Sequence, residues 1–353
     1  MLFAGAELAD GRVRDVRTRD GTIETVGRGL DPDDERVVDA GGRHLLPGAV
    51  DVHVHFREPG GSHKETWVSG SRSAAAGGVT TVVDQPNTAP PTVDGAAFDE
   101  KAGIAAASLV DYGINGGVTA EWDPESLFDR PLFALGEVFL ADSTGEMGID
   151  GELFETALDA AAARDTPVTV HAEDATLFDE SALDRDLGGT GTAASADAWS
   201  AYRTAEAEVA AVERALAVGA ETDARIHIAH TSTPEAIDAV AEAAADGASV
   251  TCEGPPPHLF LSRENAGRLG TFGRMNPPLR SDVRRAGVFE RLRDGDVDMV
   301  ATDHAPHTAA EKRRGLADAP SGVPGVETAY PLLLEAVRRG EHRRDRVPAG
   351  VAA

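Results

Sequence analysis

The sequence predicts an α/β protein built as a (β/α)8 TIM barrel preceded by a small N-terminal β element. Two observations carry that expectation. Eight short apolar, β-rich runs recur along the chain, each ending in polar residues or glycine, and Ala- and Glu-rich helical stretches fall between them. The length of 353 residues, 41% of them hydrophobic, accommodates one barrel of about 250 residues with an appendage. A doubly wound open sheet is the architectural alternative.

Residues 1–46 read as a small β-domain segment. Arg12 to Arg17 alternates, Asp20-Gly21 is a hairpin signal, and Thr22 to Val26 alternates again. The eight runs then follow at 48–53, 79–84, 108–113, 134–140, 167–171, 225–230, 248–253 and 297–303. Helical stretches between them include 205–219 and 234–246. These elements place the barrel at 47–340 and leave 341–353 as a short C-terminal tail. The polar segment 308–320, with Lys312-Arg313-Arg314-Gly315, is expected to be a mobile loop over the barrel mouth.

Composition narrows the function classes. A formal net charge of −27 argues against nucleic acid or anionic membrane as partner. Lysine occurs only at 64, 101 and 312 while carboxylates abound, a balance that suits high salt, where carboxylates stay hydrated and their repulsion is screened. No run approaches the roughly 18 to 20 apolar residues of a membrane span. The N-terminus, with Glu7, Asp10, Arg12 and Arg14, has no secretory apolar region, so a cytoplasmic protein is expected. Cys252 is the only cysteine. That excludes an intramolecular disulfide and a thiolate zinc knuckle, so any metal site must be built from histidine and carboxylate.

The histidines fall where such a site would form. His53 and His55 end the first run and share a face by their i, i+2 spacing. His171 closes the fifth run, His230 the sixth, and Asp303 the eighth. In this fold the C-terminal ends of the strands converge on one site. Any one of these histidines alone could be a satisfied core or surface residue. Four imidazoles and a carboxylate together match the ligands of Zn²⁺ or a similar metal.

Asp51-Val52-His53-Val54-His55-Phe56-Arg57-Glu58-Pro59-Gly60 resembles the N-terminal signature of the dihydroorotases, and Ala301-Thr302-Asp303-His304-Ala305-Pro306-His307 resembles their C-terminal one. Gln85-Pro86-Asn87-Thr88, Val170-His171-Ala172-Glu173, His230-Thr231-Ser232 and Asn276-Pro277-Pro278-Leu279-Arg280 match in order between them. The resemblance implies reversible cyclisation of N-carbamoyl-aspartate to dihydroorotate in pyrimidine synthesis, by a metal-activated hydroxide with Asp303 as general acid and base. It implies two Zn²⁺ per chain, held by His53, His55, His171, His230 and Asp303. It also implies substrate contacts from His55, Arg57, Asn87, Asn276 and His307, and from Ser321 and Gly322 after the loop. A planar guanidinium suits a substrate carboxylate.

Two departures stand out. Where many members of the family bridge their metals with a lysine carbamate at the end of strand four, this chain has Glu137, which keeps the charge and both oxygens on a shorter arm. Glu137 is the expected bridge; Asp142, or a single tightly held metal, are the alternatives. Family members also continue for several dozen residues that return to the N-terminal β element, so the C-terminal part of that domain is expected to be missing here. Hydantoinases and allantoinases share the barrel and histidines, but Arg57 favours a substrate bearing a carboxylate. A homodimer, a metal-free scaffold role beside aspartate transcarbamoylase, and an active enzyme associated with it are the partner readings the resemblance leaves open.

Overall fold

The computed structural model describes residues 1–143, 147–184, 192–316 and 318–342. At the N-terminus β1 (Leu2–Glu7), β2 (Val13–Arg19), β3 (Thr22–Gly27) and β4 (Val37–Asp39) form a sheet of order β3-β2-β1-β4. Strands β1, β2 and β3 run antiparallel in turn, and β4 lies parallel to β1. Asp20 and Gly21 alone join β2 to β3, with φ of 49° and 77°. Two left-handed residues in a two-residue loop match the twist of the flanking strands, which is why Asp-Gly signals this turn.

Seven parallel strands follow: β5 (Ala49–Val54), β6 (Val79–Asp84), β7 (Asp111–Ile114), β8 (Leu135–Phe139), β9 (Val168–His171), β10 (Ile226–Ile228) and β11 (Val250–Cys252). They form two arcs, β5-β6-β7 and β8-β9-β10-β11. A bridge between Gly116 and Leu135 joins the arcs, and bridges from Glu253 to Met299 and from Val54 to His304 close the ring. Further helical segments lie in the loops after β9 and β11, and the helices that back the ring follow its positions in turn. These are α1 (Trp67–Gly77), α2 (Gly95–Ala105), α3 (Pro124–Phe128), α4 (Gly151–Ala162), α5 (Ala205–Thr222), α6 (Pro234–Ala245), α7 (Asp282–Asp294) and α8 (Ala329–Arg338). The architecture is the expected (β/α)8 barrel.

The eighth run departs from expectation: 297–303 makes only isolated bridges. Side-chain carboxylates take the place of ladder partners there. Asp51 accepts from the Thr302 N–H at 3.0 Å and its hydroxyl at 2.6 Å, and Asp298 accepts from the Cys252 N–H at 2.8 Å. Asp303 then turns left-handed, with φ 47°. Helix α5 also outruns the sequence reading, which stops it at Gly219. That glycine is a packing residue, since a Cβ there would meet Ile226 Cδ1 at 2.3 Å. The helix ends instead at left-handed Asp223, φ 55°.

Helix starts are set locally. Thr66, Asp94, Asp123, Asp150, Thr204, Thr233 and Ser281 each accept a backbone N–H of the first turn, at the heads of α1 to α7. Each such cap contributes about 1 kcal/mol. Between ring and helices lies one apolar core, including Val54, Leu135, Val170, Ile228, Ile237 and Leu333. Beneath the first strand end, Lys101 pairs with Asp84 at 2.5 Å, both fully buried, and Asp84 also takes the Phe56 N–H at 2.6 Å. That buried pair fixes the backbone from which His55 and Arg57 project.

The segment 308–320 carries a helical turn, Ala309–Lys312, and Ala317 lies outside the described residues. Of the 341–353 tail, residues 343–353 lie outside them too. Among the described residues no helix is long and apolar enough to cross a membrane.

Candidate metal and substrate site

His53, on β5, and His55, just beyond it, face the interior of the ring with Glu137 from β8, His171 from β9, His230 after β10 and Asp303. All are buried; His53 is fully so. Glu137 lies between two groups. Its Oε1 is 2.6 Å from His230 Nε2 and 2.9 Å from His171 Nδ1, while its Oε2 is 3.4 Å from His53 Nε2 and 3.9 Å from His55 Nε2. Asp303 Oδ1 is 3.0 Å from His55 Nε2 and 3.6 Å from His53 Nε2. Ligand atoms of His53, His55 and Asp303 lie within 4.8 Å of one another, as do those of His53, Glu137 and His230. Asp142, the other candidate bridge, is exposed and its carboxylate accepts the Gly148 N–H at 2.7 Å.

Three of the four rings have a far-side partner for their proton, and the far nitrogen of His230, Nδ1, is buried without one. His53 Nδ1 faces Glu253 at 2.5 Å, His171 Nε2 faces Glu173 at 2.9 Å, and His55 Nδ1 faces Asn87 Oδ1 at 2.7 Å. A neutral imidazole with its proton there turns a lone pair inward. The inward nitrogens meet carboxylate oxygens or each other, as His171 Nδ1 does with His230 Nε2 at 2.9 Å. His53 Nε2 is buried with no hydrogen-bond partner. Lone pairs converging on lone pairs are reconciled by cations, so the donor set fits a nitrogen- and oxygen-liganded metal.

Electrostatics point the same way. Burial pushes the Glu137 carboxyl up, but the His53 and His230 charges and the hydrogen bonds of His171 and His230 outweigh it and hold it well below the carboxylate range. Asp303 is lowered likewise, its burial overcome by the His55 hydrogen bond and the neighbouring imidazoles. Against burial, hydrogen bonds to Glu137 and Glu173 raise His171 to about 9. Protons and metal therefore compete for one set of lone pairs.

Above the cluster opens a narrow cavity. Arg57, Asn87, Asn276, Ser321 and Gly322 line it together with the inward faces of His55, Glu137, His171, His230 and Asp303. Trp199 donates to Asn276 Oδ1 at 2.9 Å and Ser321 donates to the same oxygen at 3.2 Å. The amide oxygen is thus occupied and the Nδ2 donors turn away from it, one to Ser143 Oγ at 3.0 Å. Gly322 has φ 124°, and a Cβ there would lie 2.6 Å from the Ala305 carbonyl, so only glycine fits. His307 stands behind Arg57 and does not line the cavity. Arg57, His230 and Asp303 have φ of 66°, 35° and 47°, three of the six non-glycine residues with positive φ among those described. Such backbones persist where their surroundings over-determine them, and they gather at functional sites.

Several working residues escaped the sequence reading. Glu253 and Glu173 orient His53 and His171, and Arg203 holds Glu173 at 2.6 Å. Glu173 carried a signal, since i, i+2 from a strand-end histidine shares its face. Ser143 lines the cavity and had none. Buried Lys312, placed in the polar loop by sequence, donates to the carbonyls of Arg274, Pro320 and Gly322 at 2.9 Å each, tying down the wall that carries Ser321.

A family model described as Dihydro-orotase-like matches residues 42–189. A dihydroorotase of Halobacterium salinarum is 66% identical over 354 residues, covering 100% of this chain and 80% of its own length. One of Methanosarcina acetivorans is 43% identical over 337 residues, covering 93% and 71%. Among solved structures, L-hydantoinase (dihydropyrimidinase) from Arthrobacter aurescens superposes with a TM-score of 0.91 at 27% identity, covering 99% of this chain and 80% of that one. The hydantoinase shares the barrel, while the higher sequence identity lies with the dihydroorotases, and on that ground the chain belongs to the dihydroorotase family of cyclic amidohydrolases.

Proposed function

We propose that this chain interconverts N-carbamoyl-L-aspartate and L-dihydroorotate, using Zn²⁺, two per chain, held by His53, His55, His171, His230, Asp303 and a bridging Glu137. When bound, the metal supplies Lewis acidity and lowers the pKa of water. The other parts belong to the chain's own residues. Asp303 takes the proton of the attacking water and returns it to the ring nitrogen as the amide bond breaks; in the synthetic direction it removes the proton from the ureido nitrogen. Asn276, with its oxygen already bonded, presents N–H donors to substrate oxygens. Water is excluded by the buried floor of the cavity and by the wall that Lys312 ties down.

One observation carries the choice of a carboxylate-bearing substrate. Arg57 Nη2 lies 3.1 Å from His307 Nε2, and that nitrogen also faces the Ser321 carbonyl at 2.8 Å. A carbonyl only accepts, so Nε2 gives its proton to Ser321 and has no lone pair for Arg57 Nη2, which is left without an acceptor there. An anionic oxygen in the cavity that Arg57 lines supplies that acceptor. A neutral cyclic ureide would leave the buried Arg57 charge without an anionic partner in the cavity, at a cost of about 1–3 kcal/mol or more.

The test is a substrate panel in concentrated KCl, matching the acidic composition. Dihydroorotate should turn over and hydantoin and dihydrouracil should not. Arg57→Met should lower kcat/KM for dihydroorotate by about 10²-fold, the loss of one charge-assisted contact. Comparable turnover of the uncharged rings by the unmodified protein would favour the hydantoinase reading instead.

A further inference from the structure

All three lysines of this acidic chain turn inward, and two have been accounted for: Lys101 under β5 and Lys312 behind the cavity wall. Lys64, in the loop between β5 and α1, is the third. Its Nζ lies 3.1 Å from His307 Nδ1 and 3.5 Å from Glu311 Oε1, and its side chain is 19% exposed. Glu311 is itself fixed, accepting from the Thr308 N–H at 2.9 Å and hydroxyl at 2.8 Å. Thr308, Glu311, Lys64, His307 and Ser321 therefore form one polar chain joining the first and last loops of the barrel mouth.

The chemistry of this chain permits one arrangement. An ammonium only donates, so His307 Nδ1 must present its lone pair to Lys64. A neutral imidazole then carries its single proton on Nε2, where the Ser321 carbonyl and the cavity-lining Arg57 lie. We infer that Lys64 is a positioning residue for the reaction: it holds His307 in the Nε2–H tautomer, whose proton goes to the Ser321 carbonyl, so that the ring cannot accept from Arg57 and the Nη2 donor of Arg57 stays free for a substrate carboxylate. Burial, then the Arg57 and Lys64 charges, lower the His307 pKa to about 3, so the ring is neutral under assay conditions. Without the ammonium, no donor holds the Nδ1 lone pair. The proton can then move to Nδ1, which leaves a lone pair on Nε2 that takes the Arg57 Nη2 donor away from the substrate anion.

This inference rests on the proposed function for its kinetic readout, but its direct test does not need turnover. Heteronuclear NMR of the zinc-loaded protein with isotopically labelled histidine nitrogens, assigned by loss of the signal in His307→Asn, reports which ring nitrogen of His307 is protonated. The unmodified protein should show Nε2 protonated and Nδ1 bare. Lys64→Met should move the proton partly or wholly to Nδ1 and raise KM for dihydroorotate roughly tenfold, with kcat changed much less. Lys64→Arg, which keeps a donor, should restore the tautomer and most of the KM. A proton on Nδ1 in the unmodified protein overturns the inference whether or not dihydroorotate turns over. So does a Lys64→Met variant with the tautomer and KM unchanged. Should Lys64→Met fail to fold, the unmodified protein and Lys64→Arg still decide it by the same signal.

Discussion

Replacing Glu137 with alanine should lower turnover on the order of 10³-fold or more and reduce the zinc bound per chain. The carboxylate stands between the two groups of ring nitrogens, one oxygen against His171 and His230 and the other toward His53 and His55. Removing it takes away the one negative charge among the described residues that reaches all four imidazoles. Buried rings left facing one another should also destabilise the metal-free protein by about 3–5 kcal/mol, as for other broken buried ion pairs. Glu137→Gln separates charge from shape: the amide fills the same space, so the fold should recover while metal binding does not. Metal content by elemental analysis, measured beside kcat, checks both. A Glu137→Ala variant that keeps its full metal complement would remove Glu137 from the bridge.

Asp303→Asn should lower kcat by about 10²–10⁴-fold, the span typical for removing a general acid or base. The substitution is nearly isosteric, and the Arg57 side of the cavity is untouched, so KM should change little. Asp303 is both a candidate ligand, 3.0 Å from His55 Nε2, and the carboxylate on the cavity side of the cluster. The two roles separate on metal content. Lost kcat with metal retained marks a proton carrier; lost metal in proportion to lost kcat marks a ligand only.

The barrel was legible because each of its strands is a short apolar run between breakers, a pattern that survives without tertiary knowledge. The Asp20-Gly21 hairpin was legible for the same local reason. Two elements misled where a residue's local meaning was overridden by packing. Gly219 reads as a stop but is a contact for Ile226, and 297–303 reads as a strand but gives its Thr302 N–H to the Asp51 carboxylate, while the Cys252 N–H of β11 goes to the Asp298 side chain. The inward histidines could be read because ligand chemistry restricts the residue types. Of their orienting partners, Glu173 left a trace in its i, i+2 spacing from His171, whereas Glu253 looks like any strand-end carboxylate until the ring facing it is seen. Lys312 was hidden by its neighbours: in Lys312-Arg313-Arg314 it looks solvated, and only the fold turns it inward onto three carbonyls.

The central claim is that a metal held by this cluster is required for dihydroorotate turnover. The direct measurement is dihydroorotate hydrolysis in concentrated KCl before chelation, after it, and after zinc is returned, with folding followed by circular dichroism. The account predicts activity lost on chelation and regained in proportion to zinc bound, with the fold retained throughout. Full activity in folded protein shown by elemental analysis to be free of metal would contradict it.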